Sequence, residues 1–287
     1  MSLNYDLHCH STVSDGELSP TELMNYASKR GVQALALTDH DTTGGLAEAE
    51  TAAADLGLAL INGVEISVTW NKRLIHIVGL DFDRDDSTLL AGLAQLRQQR
   101  EGRGEAIGCR LAKLGMPDAL SGARGLANGQ ILSRTHFARF LVGAGYVKSA
   151  QEAFNRYLGE GKPAYVASRW VGLEEAVNWI VGAGGYAVIA HPARYKLTAT
   201  KLRALIDEFK ACGGVGIEVV SGSQDKNQIH NMADYAVRYG LLASLGSDYH
   251  GPAQPWLAMG RLPPLPKRCT PIWTAWDAPA AGVQAVN

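Results

Sequence analysis

Two histidines one residue apart open the sequence's first apolar run, YDLHCHSTVSDG. These are His8 and His10, and Asp15 follows five positions later. Side chains at positions i and i+2 of an extended strand point to the same side, so both imidazoles could reach one ion. His-x-His alone is a weak motif, because a single strand-end histidine is more often a packed core residue. Cys9, between the two rings, points the other way and is expected in the core.

Further histidines and carboxylates occupy later apolar runs, which read ALALTDHD, LALINGVEIS, LIHIVGLDF, YAVIAHP and LLASLGSDYH. Together with the first run they supply His8, His10, His40, His76, His191 and His250, and the carboxylates Asp15, Asp39, Asp41, Glu65 and Asp248. In parallel α/β barrels the loops after the strands converge on one face, so these side chains are expected to meet there. Nitrogen and oxygen ligands without a thiolate suit manganese, zinc or iron.

Strand-like runs, to which VGIEVVS also belongs, alternate with segments of helical period. SPTELMNYASKRG, for example, has Ser19 as a cap, Pro20 in the first turn and Gly31 as the stop. This alternation predicts an α/β fold with a mainly parallel sheet or barrel and helices outside. Residues 1–85 and 172–262 form the predicted barrel, 86–171 a helical insertion that covers the site, and 263–287 an irregular tail.

Composition narrows the classes of partner. The 287 residues carry a formal charge of −1, which argues against coating long nucleic acid by charge alone. No signal peptide and no apolar stretch long enough to cross a bilayer is evident, and the four cysteines are far apart. A cytoplasmic protein with reduced thiols and no membrane partner is therefore expected.

The ordered motifs DLHCHSTVSDG, LALTDHDT, GVEIS, HIVGL, VIAHPAR and GSDYHG resemble the polymerase-and-histidinol-phosphatase (PHP) family across nearly the whole chain. The segments RTHFARFLVGAGYVKSAQEAF and YLGEGKPAYV are similar to the small PHP phosphoesterases active on nucleotides. The resemblance implies a distorted, TIM-like (β/α)7 barrel of about seven parallel-type strands, akin to the amidohydrolase barrel, that holds two or three divalent ions. Manganese is expected first, with zinc and iron left open.

The resemblance also implies which residues bind the ions. One ion would be surrounded by His8, His10, Glu65 and Asp248; a second, bridged by Glu65, by His76 and His191; and a third by Asp15, His40 and His250. All nine residues are present in this sequence. Asp39 resembles a group that orients a ligand histidine.

By the same resemblance the chain is expected to be a metal-dependent phosphoesterase. It would hydrolyse the 3′-phosphate of nucleoside 3′,5′-bisphosphates, turning adenosine 3′,5′-bisphosphate into AMP and phosphate with a metal-bound hydroxide as nucleophile. Catalytic roles are predicted for Glu65, Asp248, His136 and Arg194, and substrate contacts for Arg134, His136, Arg194, Lys162 and Tyr165. His136 could bind phosphate or protonate the leaving oxygen, and Glu218 could touch the site or be structural. The arginines Arg97, Arg100, Arg103 and Arg110 are interpreted as a solvated helix face.

Three other functions stay open at this point. Trimming of short 5′-phosphorylated RNA in the 5′→3′ direction uses the same chemistry on a longer substrate. Histidinol phosphatase activity occurs in relatives with the same barrel, although that substrate has one phosphate and a cationic amine. A non-catalytic PHP module is the third, and such modules usually lack ligands. The expected partner is a nucleotide or short oligonucleotide, and the sequence leaves the oligomeric state open.

Overall fold

Seven strands form one sheet that curls into a nearly closed barrel in the computed structural model of the chain, which describes residues 3–127, 131–252 and 259–276. The strands lie side by side in sequence order. They are β1 (Tyr5–Cys9), β2 (Ala34–Leu37), β3 (Ala59–Trp70), β4 (Arg73–Leu80), β5 (Tyr186–Ile189), β6 (Gly216–Ser221) and β7 (Leu242–Gly246). Each strand falls in one of the predicted apolar runs, so the predicted α/β barrel is confirmed.

One strand runs against the predicted direction. β1, β2 and β3 are mutually parallel, as are β5, β6 and β7, but β4 is antiparallel to both of its neighbours. The physical reason is the hairpin between β3 and β4, whose two turn residues, Asn71 and Lys72, have φ values of 46° and 63°. A two-residue turn with positive φ reverses the chain without a crossover helix. His76 therefore projects from within a strand.

The barrel closes between its first and last strands. The Asp248 N–H donates to the His8 carbonyl at 2.8 Å, and the His10 N–H donates to the Tyr249 carbonyl at 2.9 Å. These bonds lie just where both strands end, so the HCH and SDYH motifs are brought side by side.

Helices cover the outside of the barrel. They are α1 (Pro20–Lys29), α2 (Leu46–Leu56), α7 (Leu173–Gly182), α8 (Ala199–Ala211) and α9 (Lys226–Tyr239). The predicted start of α1 is confirmed, because the Ser19 and Glu22 side chains form a capping box at its N-terminus. Leu23 and Ala27 on the inner face of α1 are fully buried against the barrel.

The segment between β4 and α7 is helical. It consists of α3 (Ser87–Lys113), α4 (Ala119–Ala127), α5 (Arg134–Gly143) and α6 (Ala150–Ala153), the last continued by a π-helical turn, Phe154–Leu158. Leu93 and Leu96 of α3 pack into the barrel core, whereas Ile107 and Leu111 of the same helix pack into a second core made by the insertion. α3 therefore connects the two cores, and the apolar packing divides inside this helix. The domain boundaries at 86 and 171 stay predictions.

Two arginines of α3 contradict the predicted solvated face. Arg100 is 4% exposed; its Nε donates to Asp41 Oδ2 at 2.6 Å and its Nη2 to Ser67 Oγ at 2.8 Å. Arg103 is half-buried, with its guanidinium carbon 4.8 Å from the centre of the Trp170 ring. Of the other two arginines in this series, Arg97 is half-buried and Arg110 is exposed, as predicted for a solvated helix face. Arg100 is buried because it continues the apolar stripe of α3, four residues after Leu96.

Part of the C-terminal segment is ordered against the barrel, although 263–287 was predicted to be irregular. Pro271 forms a β-bridge with Ala243, and Ile272 is fully buried. Trp273 is the first residue of the short helix α10 (Trp273–Trp276). Its ring stacks on that of Tyr5, with the ring centres 4.1 Å apart. The rest of the predicted tail, 277–287, lies outside the described residues.

Two further expectations concern membranes and thiols. Across 3–127, 131–252 and 259–276, the structure contains no helix that combines the length and apolar character needed to cross a membrane. All four cysteines are free, and Cys9 is in the core, as predicted. The cytoplasmic location stays a prediction.

The buried ion pair between Arg100 and Asp41 generates a stability prediction. Arg100→Leu should lower the free energy of unfolding by about 3–5 kcal/mol, because the buried Asp41 carboxylate then has no cation. Urea unfolding in the presence of a chelator measures this change without a contribution from metal binding. Arg124→Leu is the control, since Arg124 pairs with Glu101 and Glu105 on the exposed surface and should leave the midpoint unchanged. Equal losses in both variants would contradict the assignment.

Candidate metal centre and anion cavity

Glu65 lies at the centre of a cluster of imidazoles at one end of the barrel. Its Oε1 is 2.8 Å from His76 Nδ1 and 2.9 Å from His191 Nε2. Its Oε2 is 2.9 Å from His40 Nδ1 and 3.4 Å from His8 Nε2. A single carboxylate therefore contacts rings from β1, β4 and the segments after β2 and β5.

All nine predicted ligands lie in this cluster. Three sets have one ligand atom per residue, all within 4.8 Å of one another: His8, His10, Glu65 and Asp248; His10, Asp15, His40 and His250; and His40, Glu65 and His76. The first set is the predicted one. The second gains His10, and the third has His40 where His191 was expected, although His191 Nε2 is 3.4 Å from His76 Nδ1.

The nitrogen and oxygen atoms of the cluster are better placed to bind cations than to form hydrogen bonds with one another. Among the described residues, buried atoms without a hydrogen-bond partner include His8 Nε2, His40 Nδ1, Glu65 Oε2 and Asp15 Oδ1. Such orphaned atoms are rare in protein interiors, and here they are gathered in one place. Imidazole nitrogens and carboxylate oxygens that face one another within 3–4 Å suit a shared divalent ion.

The carboxylates of the cluster are ionised. Burial lowers the pKa of His40 to about 4, so its ring is neutral at neutral pH. Although burial opposes it, the neighbouring histidines hold the pKa values of Glu65 and Asp248 well below their usual values. Burial also opposes protonation of His10, but the carboxylates of Asp248 and Glu65 raise its pKa to about 10, so a bound cation would displace this proton. The carboxylates thus carry negative charge that attracts positive charge into the cluster.

Glu218, whose role the sequence left open, orients two of the candidate ligands. Its Oε1 lies 2.6 Å from His8 Nδ1, and its Oε2 accepts a hydrogen bond from the His191 backbone N–H at 2.5 Å. The first contact leaves His8 Nε2 turned towards Glu65, so Glu218 fixes both the ring position and the face that it presents.

Asp39 does not orient a histidine ring in the way that the resemblance implied. Its Oδ1 accepts from the Ser11 N–H at 2.8 Å and from Ser14 Oγ at 2.6 Å. Its Oδ2 accepts from Ser11 Oγ at 2.6 Å. These bonds hold the loop that connects His10 to Asp15, so Asp39 acts on the chain between two ligands.

Left-handed backbone conformations occur at three positions of the site. Asp41 and Asp248 have a φ of 53°, and His191 has a φ of 28°. These conformations are unfavourable for residues other than glycine and persist where surrounding contacts impose them. Here they turn the chain at the strand ends where the candidate ligands lie.

Side chains of the insertion contact the cluster at Asp15. Thr135 Oγ1 donates to Asp15 Oδ2 at 2.9 Å, and Ser133 Oγ donates to the same oxygen at 3.2 Å. Arg139 Nη2 donates to the Asp15 carbonyl at 2.9 Å. None of these three residues was predicted from the sequence.

A cavity of about 240 Å³ separates the barrel from the insertion. The barrel contributes candidate ligands and Arg194, whereas the insertion contributes Arg100, Arg103, Ser133, Arg134, Thr135, Phe154 and Trp170. The predicted contacts Arg134 and Arg194 both line it. Arg194 also contacts the Asp248 carboxylate and donates from Nε to Ser223 Oγ at 3.1 Å.

Three predicted substrate contacts are not on the cavity wall. Lys162 is exposed, and Tyr165 packs behind Arg134 at 5.8 Å from its guanidinium carbon. His136 is 2% exposed, and its Nδ1 accepts the Ser133 N–H at 3.2 Å as part of the N-terminal cap of α5. Burial lowers the pKa of His136 to about 4. A buried, neutral capping ring favours neither of the predicted roles.

Two arginines of the cavity lack a carboxylate partner. Within the described ranges, neither Arg103 nor Arg134 has a carboxylate oxygen within 4.0 Å, and Arg134 instead lies between the rings of Phe154 and Tyr165. Burial, with the charges of Arg100 and Arg134, lowers the pKa of Arg103 to about 9. Burial also lowers the pKa of Arg134, as does the charge of Arg100. This wall is therefore positively charged and complementary to an anion.

Known proteins are similar in sequence to this chain over almost its whole length. A 3′,5′-nucleoside bisphosphate phosphatase of Chromobacterium violaceum is 49% identical over 276 residues, which cover 96% of this chain and 97% of the relative. A 5′-3′ exoribonuclease of Haemophilus influenzae is 47% identical over 273 residues, covering 95% of this chain and 99% of the relative.

A solved structure and a family profile also match this chain. The structure of an amidohydrolase from Chromobacterium violaceum, with bound sulfate and no metal, superposes with a TM-score of 0.92 at 48% identity, covering 96% of both chains. The profile of the PHP domain matches residues 6–221, which span β1 to β6 and all of the candidate ligands except Asp248 and His250. The chain belongs to the PHP domain family.

Proposed function

We propose that the chain is a phosphoester hydrolase that removes the 3′-phosphate of nucleoside 3′,5′-bisphosphates, such as adenosine 3′,5′-bisphosphate, and releases the nucleoside 5′-monophosphate. One observation carries the proposal: a single cavity has a cation-binding cluster on one wall and unpaired arginines on the other. A substrate with two phosphates has one group for each wall. The relative that is 49% identical and named for this activity supports the same substrate class.

The cluster would hold two or three divalent ions, with manganese as the first choice. His8, His10, Glu65 and Asp248 form the most buried of its ligand sets. Bound ions would lower the pKa of a water molecule and neutralise charge on the phosphate oxygens. Glu218 and Asp39 keep the ligands in place, because each accepts hydrogen bonds from the segments that carry them.

The arginines of the insertion would bind the phosphate that is not cleaved. Guanidinium groups donate in a planar fork that matches two phosphate oxygens. Arg103 and Arg134 are well suited, because both are half-buried without a carboxylate partner, and an anion would compensate their charge. Arg194 lines the cavity beside Asp248, a position suited to contact with the phosphate at the cluster.

Two other readings fit the cavity less well. Histidinol phosphate carries a cationic amine, which the charges of Arg103 and Arg134 would repel. A non-catalytic module would not need nine converging ligands together with an anion-binding wall.

Hydrolysis of short 5′-phosphorylated RNA is the second candidate, and the exoribonuclease that is 47% identical favours it. In that reaction the arginines would bind the 5′-phosphate, and the adjacent phosphodiester would lie at the cluster. The same residues would serve both substrates, since the two differ only in whether the 3′-phosphate is also esterified to the 5′-oxygen of the next nucleoside.

Turnover of matched substrates tests the proposal and separates the two candidates. With manganese, the purified protein should hydrolyse adenosine 3′,5′-bisphosphate much faster than histidinol phosphate. Faster cleavage of a 5′-phosphorylated dinucleotide than of the bisphosphate would make the exoribonuclease reaction the principal one. Failure to hydrolyse either nucleotide would refute the proposed function.

Glu65→Gln should abolish turnover. The neutral amide replaces a buried carboxylate whose two oxygens contact five histidines, so cation affinity should fall at the centre of the cluster. Activity assays and metal analysis of the same preparations measure both effects. Glu50→Gln, on the exposed surface beside Arg84, is the matched control and should keep full activity and metal content. Normal turnover in Glu65→Gln would remove Glu65 from the mechanism.

Arg134→Ala should discriminate between substrates with one and two phosphates. Loss of a charge-assisted contact should lower kcat/KM for adenosine 3′,5′-bisphosphate about 10- to 100-fold, and that for adenosine 3′-monophosphate far less. Arg156→Ala is the control, because Arg156 is exposed, pairs with Glu152 and should affect neither substrate. An equal loss on both nucleotides would show that Arg134 does not read the second phosphate.

A further inference from the structure

The two oxygens of Asp15 have different surroundings. Oδ2 accepts the hydroxyl groups of Thr135 at 2.9 Å and Ser133 at 3.2 Å, both from the insertion. Oδ1 has no hydrogen-bond partner among the described residues and lies 3.4 Å from His250 Nε2 and 3.8 Å from His40 Nε2. The insertion therefore occupies one oxygen of the carboxylate and leaves the other facing the imidazoles.

We propose that Thr135 and Ser133 are positioning residues for a cation held by His10, Asp15, His40 and His250, so that the insertion sets the affinity of this one position. The inference rests on the metal assignment made in the proposed function. It adds that residues outside the barrel determine the affinity of one ion position.

The two hydroxyl groups should affect only the ion position that includes Asp15, because the other ligand carboxylates are hydrogen-bonded differently. Glu65 and Asp248, which supply oxygens to the remaining sets, receive no hydrogen bond from the insertion in the part of the chain that the structure describes. Only Asp15 depends on the two hydroxyl groups. Without them its carboxylate can rotate and present either oxygen to either side. Loss of such an orienting contact typically weakens metal binding 10- to 100-fold.

Thr135 is the better residue to change. Ser133 also caps α5 by accepting the Thr135 N–H at 3.1 Å, so its removal would disturb the helix start as well. Thr135→Val keeps the shape of the side chain and removes only the hydroxyl group. Thr135→Ser keeps the hydroxyl group and should restore the affinity.

The chain contains a closely matched control at Thr21. Like Thr135, it is the second residue of a helix with a serine cap and a capping box, and its hydroxyl donates to a carboxylate, that of Glu48, at 2.8 Å. Thr21→Val therefore makes the same chemical change at a barrel helix outside the cavity.

Binding of Mn²⁺ to the chelator-stripped, full-length protein tests the inference. Electron paramagnetic resonance of the free ion and calorimetry measure the binding steps. Thr135→Val should weaken one binding step about 10-fold or more and leave the others unchanged, whereas Thr135→Ser and Thr21→Val should bind like the wild type. Equal weakening of every step, no weakening, the same effect in Thr21→Val, or only two ions bound by the wild type would each overturn the inference. Bisphosphate hydrolysis by the wild type tests the proposed function separately.

Discussion

The buried Glu65 carboxylate and the imidazoles around it are the interaction on which the rest of the structure depends. Its two oxygens face five histidine nitrogens at 2.8–3.4 Å, with almost no access to water. Several of these donor atoms have no hydrogen-bond partner in the described part of the chain, a state that costs free energy until a cation is shared among them. The fold must therefore hold these polar groups close together at a cost in folding free energy. The left-handed conformations of His191 and Asp248 are part of how it does so.

Two separate pieces of architecture supply the necessary rigidity. Closure of the barrel between β1 and β7 fixes His8 beside Asp248 through backbone hydrogen bonds. The insertion then holds two loops from outside, since Arg100 of α3 pairs with Asp41, next to His40, while Thr135 of α5 contacts Asp15. The helices that provide arginines for an anion thus also hold the loops that provide ligands for a cation. Anion binding by Arg103 and Arg134 would thus depend on the same two helices, α3 and α5, that hold the ligand loops.

Sequence patterns predicted the residues of the cluster far better than the contacts between them. The seven strands follow from local features, namely the apolar runs, and most of these runs carry an ionisable residue, whereas the choice of nine ligands came from the resemblance to the PHP family. The reversed direction of β4 depends on a two-residue turn that resembles an ordinary loop in sequence. Asp39 has a suitable residue type, but its hydrogen bonds go to Ser11 and Ser14, which only the tertiary structure brings near. His136 instead belongs to a local capping box with Ser133, three residues earlier in the chain. Arg100 could have been found, because a charged residue that continues an apolar helical stripe must have a buried partner.

The charges of the cavity provide the physical basis for selecting a substrate with two phosphates. Carboxylates on the barrel wall need cations, and the arginines on the opposite wall need an anion, because burial makes each unpaired charge unfavourable. A substrate with a single phosphate that occupies the cluster leaves Arg103 and Arg134 without a partner. A site built around buried polar groups discriminates strongly against an analogue that leaves them unpaired, more strongly than an apolar pocket discriminates by size. Under the proposed function, preference for a second phosphate follows from two half-buried arginines without a carboxylate partner and does not require recognition of the base.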